Sequence, residues 1–431
     1  MTDSYHFIGI GGIGMSSLAH ILLQKKCEVS GSDIKEGSVI SGLKQEGAKI
    51  SLSHSKDQFD SNQTVVYSTA IDCDNLELRL AKKMGCKILH RSELLNQLTV
   101  NQKPIMVVGT HGKTTTSALL THILKGCGAD PSYVIGGVVE SLKSHGAFGL
   151  GEYFILEGDE SDGSFLKTSP FGAIITNLED DHLDYWKDHS SLLEAFSIFV
   201  NQFKLSAPVI WCGDDKELCR LNPPGKSYGF SDGVDYQVKN VDSSSFELNG
   251  EKFPLKVAGL HNALNSSAAI AMALQLGFDK QMIKSSLSSF LGVSRRLEYL
   301  GNFDGVDYYD DYAHHPTEIK AAYSALESIS NQRRIWLLFQ PHRYSRVKAL
   351  MDQFCSCLKQ IPNLVLFPIY AAGESKDIQV QEELRRQLDR ANHIDRDFAN
   401  TFLSQFAKRG DIVLTMGAGD ISSVGRSLET K

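Results

Sequence analysis

Two stretches carry groups suited to holding phosphate. In GTHGKTTT, Gly109 to Thr116, a lysine and a hydroxyl follow two glycines. Lys113 can offset β/γ-phosphate charge, Thr114 can ligate Mg²⁺, and the backbone N–H groups of Gly109, Thr110, His111, Gly112 and Thr115 can wrap the phosphates. The loop departs from the GxxxxGK[ST] pattern, because Val107 stands where its first glycine would be. Downstream, YFILEGDESDGSF sets Glu157, Asp159, Glu160 and Asp162 just after an apolar run. A carboxylate at the carboxyl end of a parallel strand can hold Mg²⁺ on a triphosphate, and Glu157, the first acid of the series, is the candidate. Asp162 reads as a capping or surface acid. In AIITNLEDDHLDYW, His182 lies in an acid-rich loop that suits a second metal, and a structural histidine fits the same position equally well.

The second stretch is HFIGIGGIGMSS with Gly9-x-Gly11-x-x-Gly14 and an acid at Asp33. Small glycines allow a tight turn, the following helix offers N–H groups to a diphosphate, and the acid can accept a ribose hydroxyl. A nicotinamide dinucleotide would fit. Another diphosphate would fit as well, and the loop alone does not choose.

Further candidates stand at element ends. GLHNALNSSAAIAMAL brings His261, Asn262 and Asn265 to a helix start, where the amides can read a purine edge or simply cap the helix. SRRLEYLG holds Arg295 and Arg296, one of which can swing onto a γ-phosphate as charge develops. DDYAHHPTE and FQPHRYSR crowd Asp311, His314, His315, His342, Arg343 and Arg346 into strand-to-helix loops, a composition suited to carboxylate and phosphate.

The elements that must position these residues alternate. HFIGI, CEVSGSD, TVVYSTA and CKILH read as strands, with helices over 15–26 and 75–84, which predicts a parallel sheet with crossover helices. NQLTVNQKP, 96–104, reads as a linker. A second α/β unit opens at IMVVGTHGKTTT, with strands at YFILEGD, GAIITN and PVIWCGD, a helix near 190–203, a small antiparallel excursion over 226–258, and helices over 262–276 and 280–291. A third restarts at GNFDGVDYYDD and runs through RRIWLLFQP and NLVLFPIY to DIVLTMGAGD. At 431 residues, three α/β domains are expected, with boundaries near 100 and 294.

Composition narrows the partners. Basic residues number 44 against 51 acids, with no long basic run, so nucleic acid is not expected. No apolar run approaches the roughly 18 residues of a membrane span, and the N-terminus lacks a basic leader, so a cytoplasmic protein is expected. The eight cysteines form no CxxC motif and read as reduced thiols.

Taken in order, GTHGKTTT, EGDESDGSF, TNLEDDHLDYW, GLHNALN, SRRLEYLG, DDYAHHPTE and PHRYSR span most of the chain and resemble the motifs of the Mur ligases, which build the peptide of bacterial peptidoglycan by ATP-driven amide formation. Within that family, GIGGIGMSSLA with GSD, HGKTTT, DESDGSF and DDYAHHPTE look like the branch that adds L-alanine to UDP-N-acetylmuramate. The resemblance implies a Rossmann-like UDP-sugar-binding domain (1–98), a central P-loop ATPase-type α/β domain (99–294) and a C-terminal Rossmann-like domain (295–431) that closes over ATP and amino acid. It also implies ATP, two Mg²⁺ ions with Mn²⁺ as a substitute, and an acyl-phosphate intermediate. A monomer or weak homodimer is expected.

Carried over, Lys113 and Thr114 match the P-loop lysine and Mg²⁺-binding hydroxyl, Glu157 the ligand of the first ion and His182 that of the second. Asn262 and Asn265 match adenine-side asparagines with His261 nearby, Arg296 the γ-phosphate arginine, and Asp311 a nucleotide-facing acid. Tyr312, His314, His342, Arg343 and Arg346 would line the amino-acid and acyl-phosphate pocket. Gly11, Gly12, Ile13 and Gly14 would cradle the UDP-sugar diphosphate, with Asp33, Ser68, Thr69 and Ala70 toward the uridine. Phe196 and Ser197 stand where later members of the family carry a lysine modified to a carbamate, a departure that agrees with the alanine-adding branch. A sister ligase that reattaches a recycled tripeptide to the same UDP-sugar shares most of these motifs. A nicotinamide-binding regulator is opposed by Lys113 and the acids downstream of it.

Overall fold

The apolar run around HFIGI forms the strand Ser4–Ile8, and His6, Phe7 and Ile8 are fully buried. The structure, a computed structural model, describes residues 3–53, 59–181 and 183–427. Ser4–Ile8 is the middle of a five-stranded sheet in the order Lys49–Ser51, Glu28–Ser32, Ser4–Ile8, Thr64–Tyr67, Ile88–His90, parallel throughout. Strand order reverses at Ser4–Ile8, so the loops after it and after Thr64–Tyr67 flank the switch point, where ligands bind in open α/β sheets. Those loops contain Gly9–Gly14 and Ser68–Ala70.

A ten-stranded sheet follows, in the order Glu251–Pro254, Ser245–Leu248, Tyr236–Lys239, Lys226–Gly229, Val209–Cys212, Gly172–Ile175, Lys103–Val108, Tyr153–Glu157, Ser132–Val139, Ser144–Ala147. Lys103–Val108 pairs in parallel with both Tyr153–Glu157 and Gly172–Ile175. The carboxyl ends of these three strands therefore lie side by side, and they lead into GTHGKTTT, the DESDG loop and TNLEDD. The helix Lys113–Gly126 is buried from Thr114 through Leu124, as its small and apolar residues on every face require.

Both sheets belong to one compact unit, Met1–Asn240 with Glu247–Pro254 and Leu264–Leu291. The hairpin Ser132–Val139/Ser144–Ala147 lies on the helix Ile13–Gln24: Ser16 Oγ is 2.8 Å from His145 Nε2, Ser17 Oγ donates to His145 O at 3.3 Å, and Phe148 N–H donates to Gln24 Oε1 at 2.6 Å. Gly146 permits the approach, since a Cβ there would fall 2.6 Å from Ser17 Cβ.

The second unit, Val241–Phe246 with Leu255–Ala263 and Gly292–Lys431, holds a six-stranded sheet. Its order is Glu298–Phe303, Val306–Asp311, Ile412–Met416, Ile335–Phe339, Leu364–Leu366, Asn392–His393, with only the first pair antiparallel. Among the described residues no helix is long and apolar enough to cross a membrane.

Two local expectations are corrected, and one element was not foreseen. The stretch expected as a linker, 96–104, is the end of the helix Arg91–Thr99 and the start of the strand Lys103–Val108, where Pro104 is tolerated near a strand start. The expected antiparallel excursion begins instead as an extension of the parallel sheet: Lys226–Gly229 pairs in parallel with Val209–Cys212 and with Tyr236–Lys239, and only then does Ser245–Leu248 turn back. The hairpin over 132–147 is absent from the sequence reading.

Candidate active site

The loop 109–112 is held open by glycines that need their conformations. Gly109 and Gly112 have φ of +129° and +81°, and a Cβ at Gly109 would meet Asn177 O at 2.8 Å. Gly109→Ala is therefore expected to lower stability by about 2 kcal/mol or more, read as a lower melting temperature without ligands; an unchanged midpoint would refute the strained conformation. The neighbouring strand end braces the loop. Thr110 N–H donates to Asn177 O at 3.0 Å, His111 N–H to Asn177 Oδ1 at 2.8 Å, and Thr176 Oγ1 to His111 O at 2.7 Å. The amides of Thr110 and His111 are thus engaged within the protein. The first turn of the helix Lys113–Gly126 presents the N–H groups that an α-helix cannot match internally, which is the usual phosphate seat.

Lys113 and Thr114 diverge from that turn. Lys113 Nζ donates to Gly109 O at 2.6 Å, Thr110 O at 2.9 Å and Glu160 Oε1 at 2.7 Å. Burial alone pulls its pKa down, and the Glu160 carboxylate reverses that, leaving the ammonium more basic than usual. Thr114 Oγ1 donates to Glu157 Oε1 at 2.8 Å, and Gly136 N–H donates to Glu157 Oε2 at 2.7 Å. A hydroxyl and a carboxylate oxygen at this separation are the hard donors that Mg²⁺ takes, so the residues present fit the ion. Gly136 belongs to the unforeseen hairpin, and a Cβ on it would sit 2.8 Å from Glu157 Oε1.

The remaining acids face elsewhere. Asp159 Oδ2 accepts from Arg91 Nη2 at 2.6 Å; Asp162 Oδ2 accepts from Arg91 Nη2 at 3.3 Å and from Thr69 Oγ1 at 3.0 Å. Asp162 Oδ1 accepts from Ser164 N–H at 3.0 Å, just ahead of the short 3-10 helix Ser164–Lys167, whose N-cap is Gly163. Burial opposes the charge on Asp162, but bonds from Ser164 and the Arg91 charge leave its pKa below the usual value.

At the glycine loop, Asp33 turns its carboxylate onto the main chain: Oδ2 accepts from Gly11 N–H at 2.8 Å, and Oδ1 from Ile34 and Lys35 N–H at 2.7 and 3.1 Å. Gly12 caps the helix Ile13–Gln24 in extended conformation. Thr69 is brought to the DESDG loop through Asp162, and Ser68 O accepts from Ile71 N–H. Arg91 has no place in the sequence reading.

The asparagine-bearing helix is Leu260–Gln275. Asn265 backs the loop 109–112: Thr116 Oγ1 donates to its Oδ1 at 3.2 Å, and a Cβ at Gly112 would lie 2.5 Å from that oxygen. Asn262 Nδ2 donates to Ala258 O at 2.8 Å, a local bond at the helix start. Burial, then the Arg296 charge, lowers the His261 pKa to about 4, so the ring is neutral near pH 7.

The second unit gathers its own candidates. Asp311, at the end of Val306–Asp311, accepts from Leu297 N–H at 2.6 Å and Ala313 N–H at 2.7 Å; burial raises its pKa to about 6 against the Arg296 charge. Arg295 and Arg296 lie over the Tyr312 ring, 4.7 and 5.5 Å from its centroid. His314 Nδ1 lies 3.1 Å from Tyr312 O, and its ring is 6.0 Å from that of His342. His342, its pKa lowered to about 3 by burial and then by His314 and the two arginines, stacks on Tyr370, while Arg346 Nη1 approaches its Nδ1 at 3.4 Å. Arg343 Nε donates to Glu374 Oε1 at 2.8 Å. Glu374 and Tyr370 went unread in the sequence, where nothing local marks them. His315 is buried and caps the helix Pro316–Ile329 with Glu318 completing the capping box. His182 lies outside the described residues.

Comparison with known proteins yields three family models that together cover most of the chain: Mur ligase family, catalytic domain, over 4–103; Mur ligase middle domain over 107–273; and Mur ligase, glutamate ligase domain, over 295–419. A UDP-N-acetylmuramate–L-alanine ligase of Protochlamydia amoebophila is 40% identical, with 98% of this chain and 97% of the relative covered. One of Aquifex aeolicus is 38% identical, covering 97% of this chain and 95% of its own. Among solved structures, a UDP-N-acetylmuramate–alanine ligase of Thermotoga maritima matches at TM-score 0.85 and 27% identity, covering 100% of this chain and 99% of that one.

Proposed function

The chain belongs to the Mur ligase family, and we propose that it joins L-alanine to the lactyl carboxylate of UDP-N-acetylmuramate, driven by ATP, in peptidoglycan synthesis. It has the family's three-domain α/β architecture. We assign 1–98 to the UDP-sugar, 99–294 to ATP and 295–431 to the amino acid. The observation that carries the reading is the meeting of Lys113, Thr114 and Glu157 at the carboxyl ends of adjacent parallel strands.

The chemistry follows from charge. The lactyl carboxylate must approach the γ-phosphorus of ATP, one anion meeting another. Lys113 sits where it can shift from Glu160 and the loop carbonyls onto the phosphates and offset that repulsion. Mg²⁺ held by Thr114 and Glu157 would supply further charge stabilisation there. We assign a second ion to His182, accept Mn²⁺ as a substitute, and assign Arg296 to the γ-phosphate. A carboxylate oxygen bonds to phosphorus as the β–γ bridge breaks and ADP leaves. The neutral amine of alanine then attacks the acyl carbon, its nitrogen gives up one proton, and the tetrahedral oxyanion collapses as the C–O bond to phosphate breaks, so that phosphate departs carrying that proton. Tyr312, His314, His342, Arg343 and Arg346 are assigned to the alanine and acyl-phosphate side, Asn262, Asn265 and Asp311 to the nucleotide, and Gly11–Gly14 with Asp33 and Ser68–Ala70 to the UDP-sugar. We place the protein in the cytoplasm as a monomer or weak homodimer.

The test is phosphate release with ATP, UDP-N-acetylmuramate and a panel of amino acids and peptides. Release should depend on L-alanine. Release with the tripeptide and none with alanine would overturn the assignment in favour of the recycling ligase.

A further inference from the structure

We propose that Arg295 is a positioning residue, which holds Arg296 and Tyr312 in their working geometry without itself reaching nucleotide or substrate; the inference rests on the function proposed above. Two adjacent arginines suggest one shared role, and the structure divides them. The side chain of Arg295 runs to the ends of the sheet strands: Nη2 donates to Gly417 O at 2.5 Å and to Gly419 O at 3.3 Å, and Nε lies 3.4 Å from Asp310 Oδ2. Asp310 is fully buried, and its other oxygen accepts from Thr415 Oγ1 at 2.7 Å. Burial pushes its pKa up, while the Thr415 bond and the charges of Arg295 and Arg426 pull against that rise. Arg426 lies 3.7 Å from Asp310 Oδ2 and also pairs with Glu298. The guanidinium of Arg295 is thus committed within the protein, where a planar fork serves two carbonyls and a carboxylate at once.

The backbone shows what this commitment holds in place. Arg295 and Leu297 have φ of +60° and +48°, left-handed conformations that cost a non-glycine residue energy and persist only where the surroundings impose them. They stand on either side of Arg296. Arg295 N–H donates to Glu298 Oε2 at 2.7 Å, Leu297 N–H to Asp311 Oδ2 at 2.6 Å, and Arg295 O accepts from Tyr312 N–H at 2.7 Å. One glutamate oxygen therefore takes both the amide of Arg295 and the guanidinium of Arg426. Pinned from both sides, Arg296 is turned over the Tyr312 ring, 5.5 Å from its centroid, with Nη1 3.9 Å from Glu318 Oε1. Arg295 covers the same ring at 4.7 Å. Loss of the Arg295 guanidinium would release the strained turn and the ring together.

Steady-state phosphate release by wild type, Arg295→Lys, Arg295→Met, Arg296→Ala and the double variant Arg295→Lys/Arg296→Ala tests this. Arg295→Lys keeps a cation beside the buried Asp310, so it folds whether or not the methionine variant does. Its kcat should fall by about 10- to 100-fold, the scale on which a catalytic group displaced by about 1 Å loses rate. Its KM for alanine should rise, while its KM for UDP-N-acetylmuramate stays. Arg295→Met should lose more, so that lysine counts as a partial rescue. Arg296→Ala should lose about 100- to 1000-fold in kcat. Adding Arg295→Lys to that variant should cost no more than about twofold further, because the group to be positioned is gone and the two losses are coupled. A residue that serves the fold alone would lower the folded fraction by the same factor in either background and leave the alanine KM where it was. Losses that multiply in the double variant, or an unchanged kcat and alanine KM in both Arg295 variants, overturn the role of Arg295 alone. Full turnover by Arg296→Ala overturns the assignment of Arg296 and this inference with it. Wild-type release that does not depend on alanine overturns the functional reading and this inference together.

Discussion

Lys113→Met is expected to lower kcat by about 100- to 1000-fold, the scale on which a single charge-stabilising donor is worth. The same change should also destabilise the protein. Lys113 and Glu160 are a largely enclosed pair at 2.7 Å, with side-chain exposures of 14% and 7%, and removing one partner leaves the other charge buried without its counterion. A single variant would therefore confuse loss of catalysis with loss of fold. The double variant Lys113→Met/Glu160→Gln separates them: it should regain most of the melting temperature and none of the turnover. Recovery of turnover in the double variant would show that Lys113 serves the fold and not the phosphates.

Glu157→Ala is the second large effect. Its two oxygens accept from Thr114 Oγ1 and Gly136 N–H, so the carboxylate is fixed beside the first turn of the helix Lys113–Gly126, where we propose the phosphates and Mg²⁺ are held. Removing a metal ligand of this kind should cut turnover by orders of magnitude and raise the Mg²⁺ concentration needed for half-maximal rate. A Mg²⁺ titration of phosphate release measures both. A variant that turns over normally at limiting Mg²⁺ would assign Glu157 to holding Thr114 and the hairpin in place, and would leave the ion to other groups.

Much of this site was legible because its chemistry is local in sequence. A lysine and threonine after a glycine, behind an apolar run, announce strand, loop and helix without reference to the rest of the chain, and the structure has that order at Lys103–Val108 and Lys113–Gly126. Pairing across long separations was not legible. Four acids stand within six residues starting at the last position of Tyr153–Glu157, and nothing in their spacing says that Glu157 turns to Thr114, Glu160 to Lys113, and Asp159 and Asp162 to an arginine about 70 positions earlier. The hairpin over 132–147 was missed for a related reason. SYVIGGVV carries two glycines in mid-strand, which weaken a strand signal, and here Gly136 is needed because the Glu157 carboxylate occupies the space of its side chain. His315 shows another limit: nothing in its His-rich loop announces that it caps the helix Pro316–Ile329.

That hairpin also bears on how the protein melts. Where two α/β segments meet only through a short connection, each can unfold by itself. Here Ser16, Ser17 and Gln24 of the first segment are hydrogen-bonded to residues 145–148 of the second, and Arg91 and Thr69 tie it to Asp159 and Asp162. The unit made of Met1–Asn240, Glu247–Pro254 and Leu264–Leu291 should then lose structure in one cooperative step. A fragment cut near residue 100 would expose the helix face that the hairpin covers, making it a poor stand-in for that segment of the intact chain in ligand screening.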